Sequence, residues 1–295
     1  MPDSDSSDNG TGRELFNAAH WDGMEWSYLK VMPDGGYVIP ITCIYYFNEN
    51  DIWFGEMSLP IKWNGEEFFE YHPGNSTHPG GQGTINAIWG TSSNNLFFIH
   101  RNGNILHYDG NEFTKMESGT NIHLLDIDGT PDGKHLFVRG YDGYVPSKDI
   151  VLEYDGTQWN TIYHIEGHYF PEENDYGHIE GIGVFEDTLY VTTVAGLWKY
   201  NFTNKNSVLI PHSISNMNQS AYPFVNIISI NDIFFAGSGF HYIHFNGITF
   251  KHNQEITNMF VQRAMWGADY NGGLAVMVGM FDSFSHAMVA KGIQE

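Results

Sequence analysis

Short apolar runs rich in Ile, Val, Phe, Tyr and Trp recur along nearly the whole chain, each bounded by Gly, Asn, Asp or Pro. Runs of that length and composition predict strands. A smaller pattern is laid over them: an aromatic residue, Asp or Asn, Gly, and a second aromatic three positions further on. It occurs as Trp21-Asp22-Gly23 with Trp26, Trp63-Asn64-Gly65 with Phe68, and Tyr108-Asp109-Gly110 with Phe113. It continues as Tyr154-Asp155-Gly156 with Trp159 and Phe245-Asn246-Gly247 with Phe250, with a degenerate copy at Tyr200-Asn201-Phe202. The Asp/Asn positions 22, 64, 109, 155, 201 and 246 are spaced by 42, 45, 46, 46 and 45 residues. Spacing this even marks a structural repeat.

Asp-Gly and Asn-Gly suit a type I′ turn, so each copy predicts a hairpin whose aromatics face one another across the strand pair. Two more strands precede each turn. The second strands run through Asp51–Gly55, Asn95–Phe98, His135–Val138, Thr188–Val191, Asp232–Phe235 and Gly273–Val276. The inner set is Ile41–Tyr46, Ile85–Trp89, His123–Ile127, Ile179–Val184, Val225–Ile230 and Arg263–Trp266. Four strands in each of six units predict an all-β fold, a six-bladed β-propeller of four-stranded antiparallel blades. The strand Glu25–Val31 precedes any first strand, so it is expected to complete the C-terminal blade. Either Leu15–Trp21 or His286–Ala290 could supply that blade's third strand.

The units resemble bacterial propeller proteins with an I-W-G…H-Y-D-G-x-x-W repeat, through Ile88-Trp89-Gly90 with His107-Tyr108-Asp109-Gly110 and His20-Trp21-Asp22-Gly23 with Trp26. The resemblance covers residues 14 to 292. It implies the propeller fold and the setting of poorly characterised exported proteins, and it says almost nothing about activity.

Composition narrows the function. Thirteen Lys and Arg against 35 Asp and Glu give a net charge of −22, which excludes the clustered cations that nucleic acid or anionic lipid needs. No apolar run is long enough for a membrane helix. The single cysteine, Cys43, excludes an internal disulfide and reads as a buried, inert thiol in a strand. Residues 1–13 are an acidic, Ser/Asp-rich leader expected to be disordered, ahead of one propeller domain over 14–295. A leader of this kind suits export to the periplasm or cell surface, with or without a lipid anchor; a cytoplasmic chain is the alternative. A monomer is expected.

Four long connections, Tyr71–Thr84, Arg139–Asp149, Tyr163–His178 and Pro211–Tyr222, all fall on the face opposite the Asp-Gly turns. Insertions gathered on one face mark binding. Their residues supply the candidate ligand-binding set: His72, His78, Tyr169, Glu172, Glu173, Asp175, Tyr176, His178 and His212. Tyrosines stack on sugars or peptide groups, and His and carboxylates fix polar groups. The expected function is therefore non-enzymatic binding of a carbohydrate or a protein or peptide, with no cofactor. The alternative is a metal-dependent hydrolase or lactonase with its site at the central channel, holding calcium or zinc. For that reading Asn86, Glu180, Asn226 and Arg263 are the polar candidates on the first strands, and they form no evident ligand set. Asp126–Lys134 hints at a calcium loop but lacks the distal glutamate of an EF-hand, and its Thr130-Pro131-Asp132-Gly133-Lys134 part reads as a β-turn.

Overall fold

The computed structural model describes residues 16–22, 24–32, 38, 40–73, 83–172, 175–211, 224–237, 241–252, 264–271, 274–281 and 286–293. The leader lies outside them. All regular structure among the described residues is β-strand. The chain divides into two compact units, Met1–Leu125 and Asp126–Glu295.

The first unit opens with a hairpin of β1 (Ala18–Trp21) and β2 (Trp26–Leu29). Two four-stranded antiparallel sheets follow. One is β3 (Ile41–Asn48), β4 (Asp51–Glu56), β5 (Leu59–Trp63) and β6 (Phe68–Glu70). The other is β7 (Ile85–Ser92), β8 (Asn95–His100), β9 (Ile105–Tyr108) and β10 (Phe113–Met116). The two sheets pack through Trp53, Ile85, Leu96, Phe98 and Leu106, all withdrawn from water. The β1–β2 hairpin covers only part of the other face of β3–β6. A groove of about 370 Å³ stays open there, lined by Leu29, Ile44, Tyr46, Phe54, Trp63 and Phe68.

In the second unit the strands are β11 (Leu124–Gly129), which begins at the boundary, β12 (Leu136–Asp142), β13 (Lys148–Tyr154) and β14 (Trp159–Glu166). Next come β15 (Ile179–Phe185), β16 (Thr188–Thr193), β17 (Gly196–Asn201) and β18 (Asn206–Pro211). A third sheet holds β19 (Phe224–Ser229), β20 (Asp232–Gly237), β21 (His241–Phe245) and β22 (Phe250–His252). The last is three-stranded: β23 (Ala264–Asn271), β24 (Leu274–Phe281) and β25 (His286–Ile293). Five four-stranded sheets and this one make the six repeated units that the 45-residue period predicts. The third-strand position of the last sheet goes to the His286 segment, since β25 pairs with β24 along its whole length. β1 pairs with β2 alone, and no pairing of the N-terminal strands with the last sheet occurs among the described residues.

The Asp-Gly turns form as expected but with a different geometry. Paired Tyr108 and Phe113 close a loop in which Asp109 Oδ1 accepts the N–H groups of Asn111 and Glu112, at 2.8 and 2.9 Å. Only Gly110 takes a positive φ, +96°. A type I′ turn would need a second one; the short acceptor side chain makes that unnecessary by satisfying the turn amides itself. Asp22, Asn64, Asp155, Asn201 and Asn246 do the same. A side chain on Gly110 would run into Asn94, in the turn between β7 and β8, at 2.8 Å, so both turn types share one rim. The Thr130–Lys134 segment is the β-turn expected, closed by Gly133 N–H donating to Thr130 O at 2.8 Å.

A second repeat emerges from the register. A second-strand aromatic lies opposite a third-strand cation or histidine in four sheets: Trp53 and Lys62, Phe97 and His107, Tyr190 and Lys199, Phe234 and His244. Lys62 Nζ lies 5.5 Å from the Trp53 ring, and the His107 and Phe97 rings are 4.5 Å apart. His107 and His244 also reach Asn95 and Asp232, two residues before those aromatics, at 2.7 Å. In the sheet β11–β14 the charges are exchanged: Glu153 faces Phe137 and draws His135 and Lys205 to it.

Candidate functional site

The strands β12, β13 and β14 run to seven, seven and eight residues, longer than β8 to β10 with six, four and four. The extra length carries two connections outward: 143–147 between β12 and β13, and 167–178 between β14 and β15. Gly167 N–H donates to Ser147 O at 2.8 Å, which fixes the two side by side.

The longer loop folds on its own polar groups. Asp175 Oδ1 accepts the N–H of Gly177 at 2.8 Å and of Glu172 at 3.2 Å, while its Oδ2 meets His168 Nε2 at 2.9 Å. Burial alone would raise the Asp175 carboxyl; these bonds outweigh it and hold it below its ordinary value. The same pairing raises His168 against the cost of burial. Tyr163 Oη donates to Gly177 O and accepts Tyr176 N–H, and the Tyr176 ring lies against Trp198 at 4.9 Å. His178 N–H donates to Tyr169 O, closing the loop at 2.9 Å. Gly177, at φ +71°, lies so close to Val194 and Tyr169 that any side chain would collide.

Beneath the loop is a buried charged cluster. Tyr141 and Asp149 are register partners on β12 and β13 and so share a face, with Arg139 two residues before Tyr141. His178 Nδ1 lies 2.7 Å from Asp149 Oδ1, though not aligned as a hydrogen bond. The same oxygen accepts Ile179 N–H at 3.0 Å. The His178 ring stacks on Tyr169 at 4.7 Å and meets Tyr141 edge-on at 4.5 Å. Burial lowers the Arg139 guanidinium, opposed by Asp126, Asp149 and Glu180; burial likewise raises Asp126, opposed by Arg139. Tyr169 is pushed up to about 12, first by burial and then by Glu180, Tyr141 and Asp149. This cluster clamps the loop in place.

Apolar side chains stand exposed on both loops: Tyr144, Val145 and Pro146 on the shorter, Tyr169, Phe170 and Pro171 on the longer; Tyr144 is 77% exposed, Val145 98%, Phe170 60% and Tyr169 38%. The Tyr169 and Phe170 rings meet edge-on at 5.4 Å. Side chains this apolar, held out of the core, make the two loops a candidate interaction surface.

Of the residues expected to bind, Tyr169 and His178 come together here, and Glu172 lies at the loop's outer edge. Asp175 and Tyr176 are engaged in folding the loop. His72 lies in the first unit, where its Nε2 is 2.8 Å from Glu70 Oε1. His78, Glu173 and His212 lie outside the described residues. Asp149, Arg139, Val145 and Phe170 were missed. Asp149 had a signal, as a lone carboxylate opening the apolar run Ile150-Val151-Leu152; Val145 and Phe170 had none beyond apolarity in a loop. No group of three His, Cys, Asp or Glu side chains placed to share a metal ion occurs among the described residues.

Repeated four-stranded antiparallel sheets, joined in chain order and packed face to face within each unit, define a β-propeller. Solved structures agree on the fold. The chain is similar to YCF48 bound to D1 peptide, at a TM-score of 0.67 and 12% identity over 95% of this chain and 88% of that one. A chain of the mitotic checkpoint complex gives 0.62 and 11%, over 93% and 82%. The extracellular domain of BT4673 from B. thetaiotaomicron gives 0.59 and 14%, over 84% of this chain and 32% of that one, so this chain spans about a third of it. No protein-family model and no curated protein matches the sequence. Among the described residues no helix is long and apolar enough to cross a membrane.

Proposed function

We propose that the protein is a non-enzymatic binding propeller that takes a peptide or protein segment on the loops 143–147 and 167–178. The observation that carries this is the pair of exposed tripeptides, Tyr144-Val145-Pro146 and Tyr169-Phe170-Pro171, on two loops joined at their base by the Gly167–Ser147 bond and anchored below by Asp149 and His178. Rigid aromatic anchors on an ordered loop give contact area at low entropic cost. Structures of the same fold support a protein or peptide partner over a sugar: YCF48 is bound to D1 peptide, and another neighbour is a chain of the mitotic checkpoint complex. The resemblance to an extracellular domain favours action at the bacterial surface or in the periplasm.

Panning a displayed random-peptide library on the intact chain tests this. Wild type enriches a sequence family, and the double variant Tyr144→Ser/Phe170→Ser does not. Equal enrichment on both removes the loops from the reading, and a glycan array that binds wild type where the library does not would replace peptide by carbohydrate.

A further inference from the structure

The chemistry of the same surface specifies its partner further, an inference that rests on the peptide-binding reading. Three aromatic side chains, Tyr144, Tyr169 and Phe170, reach solvent on the two loops. The net charge around them is negative. Glu172, directly after Pro171, is 67% exposed, and its nearest cation is His168, whose Nδ1 is 3.9 Å away while its Nε2 is already held by Asp175. Glu166, at the start of the loop, is half exposed and faces Lys148 at 3.6 Å, the one lysine or arginine on the two loops or their flanks, and that one already neutralised. Deeper in, Asp126, Asp149 and Glu180 surround the single Arg139. The whole chain carries −22. A partner arriving here meets aromatic faces, an exposed carboxylate and a negative field.

We propose that the two loops recognise an extended segment bearing arginine. A guanidinium satisfies all three features together: it stacks flat on an aromatic face, gives two parallel N–H donors to a carboxylate such as Glu172, and sheds its water more readily than an ammonium. Lysine offers the charge without the plane. Phosphorylated or acidic segments are repelled.

The test is fluorescence anisotropy on the full chain with three labelled peptides of one Gly/Ser/Val framework, carrying at their central positions arginine, lysine or glutamine. The arginine peptide binds about tenfold more tightly than the glutamine peptide and severalfold more tightly than the lysine one. Phe170→Ala and Glu172→Gln, both at exposed positions, each weaken the arginine peptide about three- to tenfold, while Glu172→Gln leaves the glutamine peptide unchanged. Raising salt from 50 to 500 mM narrows the gap between arginine and glutamine. Equal binding of the arginine and glutamine peptides, or arginine binding indifferent to both variants, overturns the inference. If library panning still selects peptides through Tyr144 and Phe170 in that case, the binding reading stands without arginine. If panning is also indifferent to those residues, both fall.

Discussion

Trp53 tests how strongly neighbouring sheets of the first unit depend on one another. It is fully buried on β4, its ring stacked on Tyr71 at 5.2 Å and in contact with Phe98 and Tyr108 of the next sheet at 5.7 and 5.4 Å. Its Nε1–H donates to Ser93 Oγ at 2.8 Å, and that hydroxyl in turn donates to Asp51. Trp53→Phe removes the N–H donor, about 1 kcal/mol, and leaves a void where the second ring was, about 2 kcal/mol more. The expected loss is about 3 kcal/mol, rising to between about 4 and 5 for Trp53→Ala. Ser93→Ala costs about 2 kcal/mol, because it leaves the indole N–H buried without an acceptor. The double variant Trp53→Phe/Ser93→Ala should fall short of the summed losses by about 1 kcal/mol, since the penalty for an orphaned indole N–H disappears with the indole. Urea unfolding followed by far-UV circular dichroism measures all four proteins. A Trp53→Phe loss under about 1 kcal/mol, or strict additivity with Ser93→Ala, would refute the account of Trp53 as the hydrogen-bonded link between the two sheets.

Two further outcomes follow from the turns and the cysteine. Asp109 and Asp155 are held below the ordinary aspartate value: Asp109 by N–H bonds from Glu112 and then Asn111, Asp155 by the Thr157 hydroxyl and then the N–H groups of Gln158 and Thr157. A carboxyl depressed in the folded state contributes stability that is full above the unfolded value, about pH 4, and lost as pH falls through the folded value. Asp109→Asn/Asp155→Asn keeps the acceptor, as Asn64 and Asn246 do naturally, and should flatten the fall in melting temperature from about pH 4 downward; an unchanged slope refutes it. Burial pushes the Cys43 thiol up to about 12, so Ellman's reagent at pH 8 should leave it unmodified until urea unfolds the chain, and rapid labelling of the native protein would contradict this.

The sequence alone determined the sixfold strand repeat and the hairpins at Asp22, Asn64, Asp109, Asp155 and Asn246, because those depend on neighbours only a few residues apart: aromatic pairs across a turn and a short acceptor side chain before glycine. It also marked the 163–178 connection as the segment to examine, since tyrosine, histidine and carboxylate crowd it without strand periodicity. What it left open was which of those side chains work inward and which outward. Asp175 and Tyr176, binding candidates in the sequence, also hold the loop's own fold, whereas Val145 and Phe170, with no polar signal, stand in solvent. That assignment rests on contacts between strands far apart in sequence. Asp149 meets His178 across 29 positions and Gly167 meets Ser147 across 20, and only the register of β12 to β15 brings them together. The pairing of a second-strand aromatic with a third-strand cation was hidden for the same reason: it appears once the strands are aligned and their side chains fall on one face.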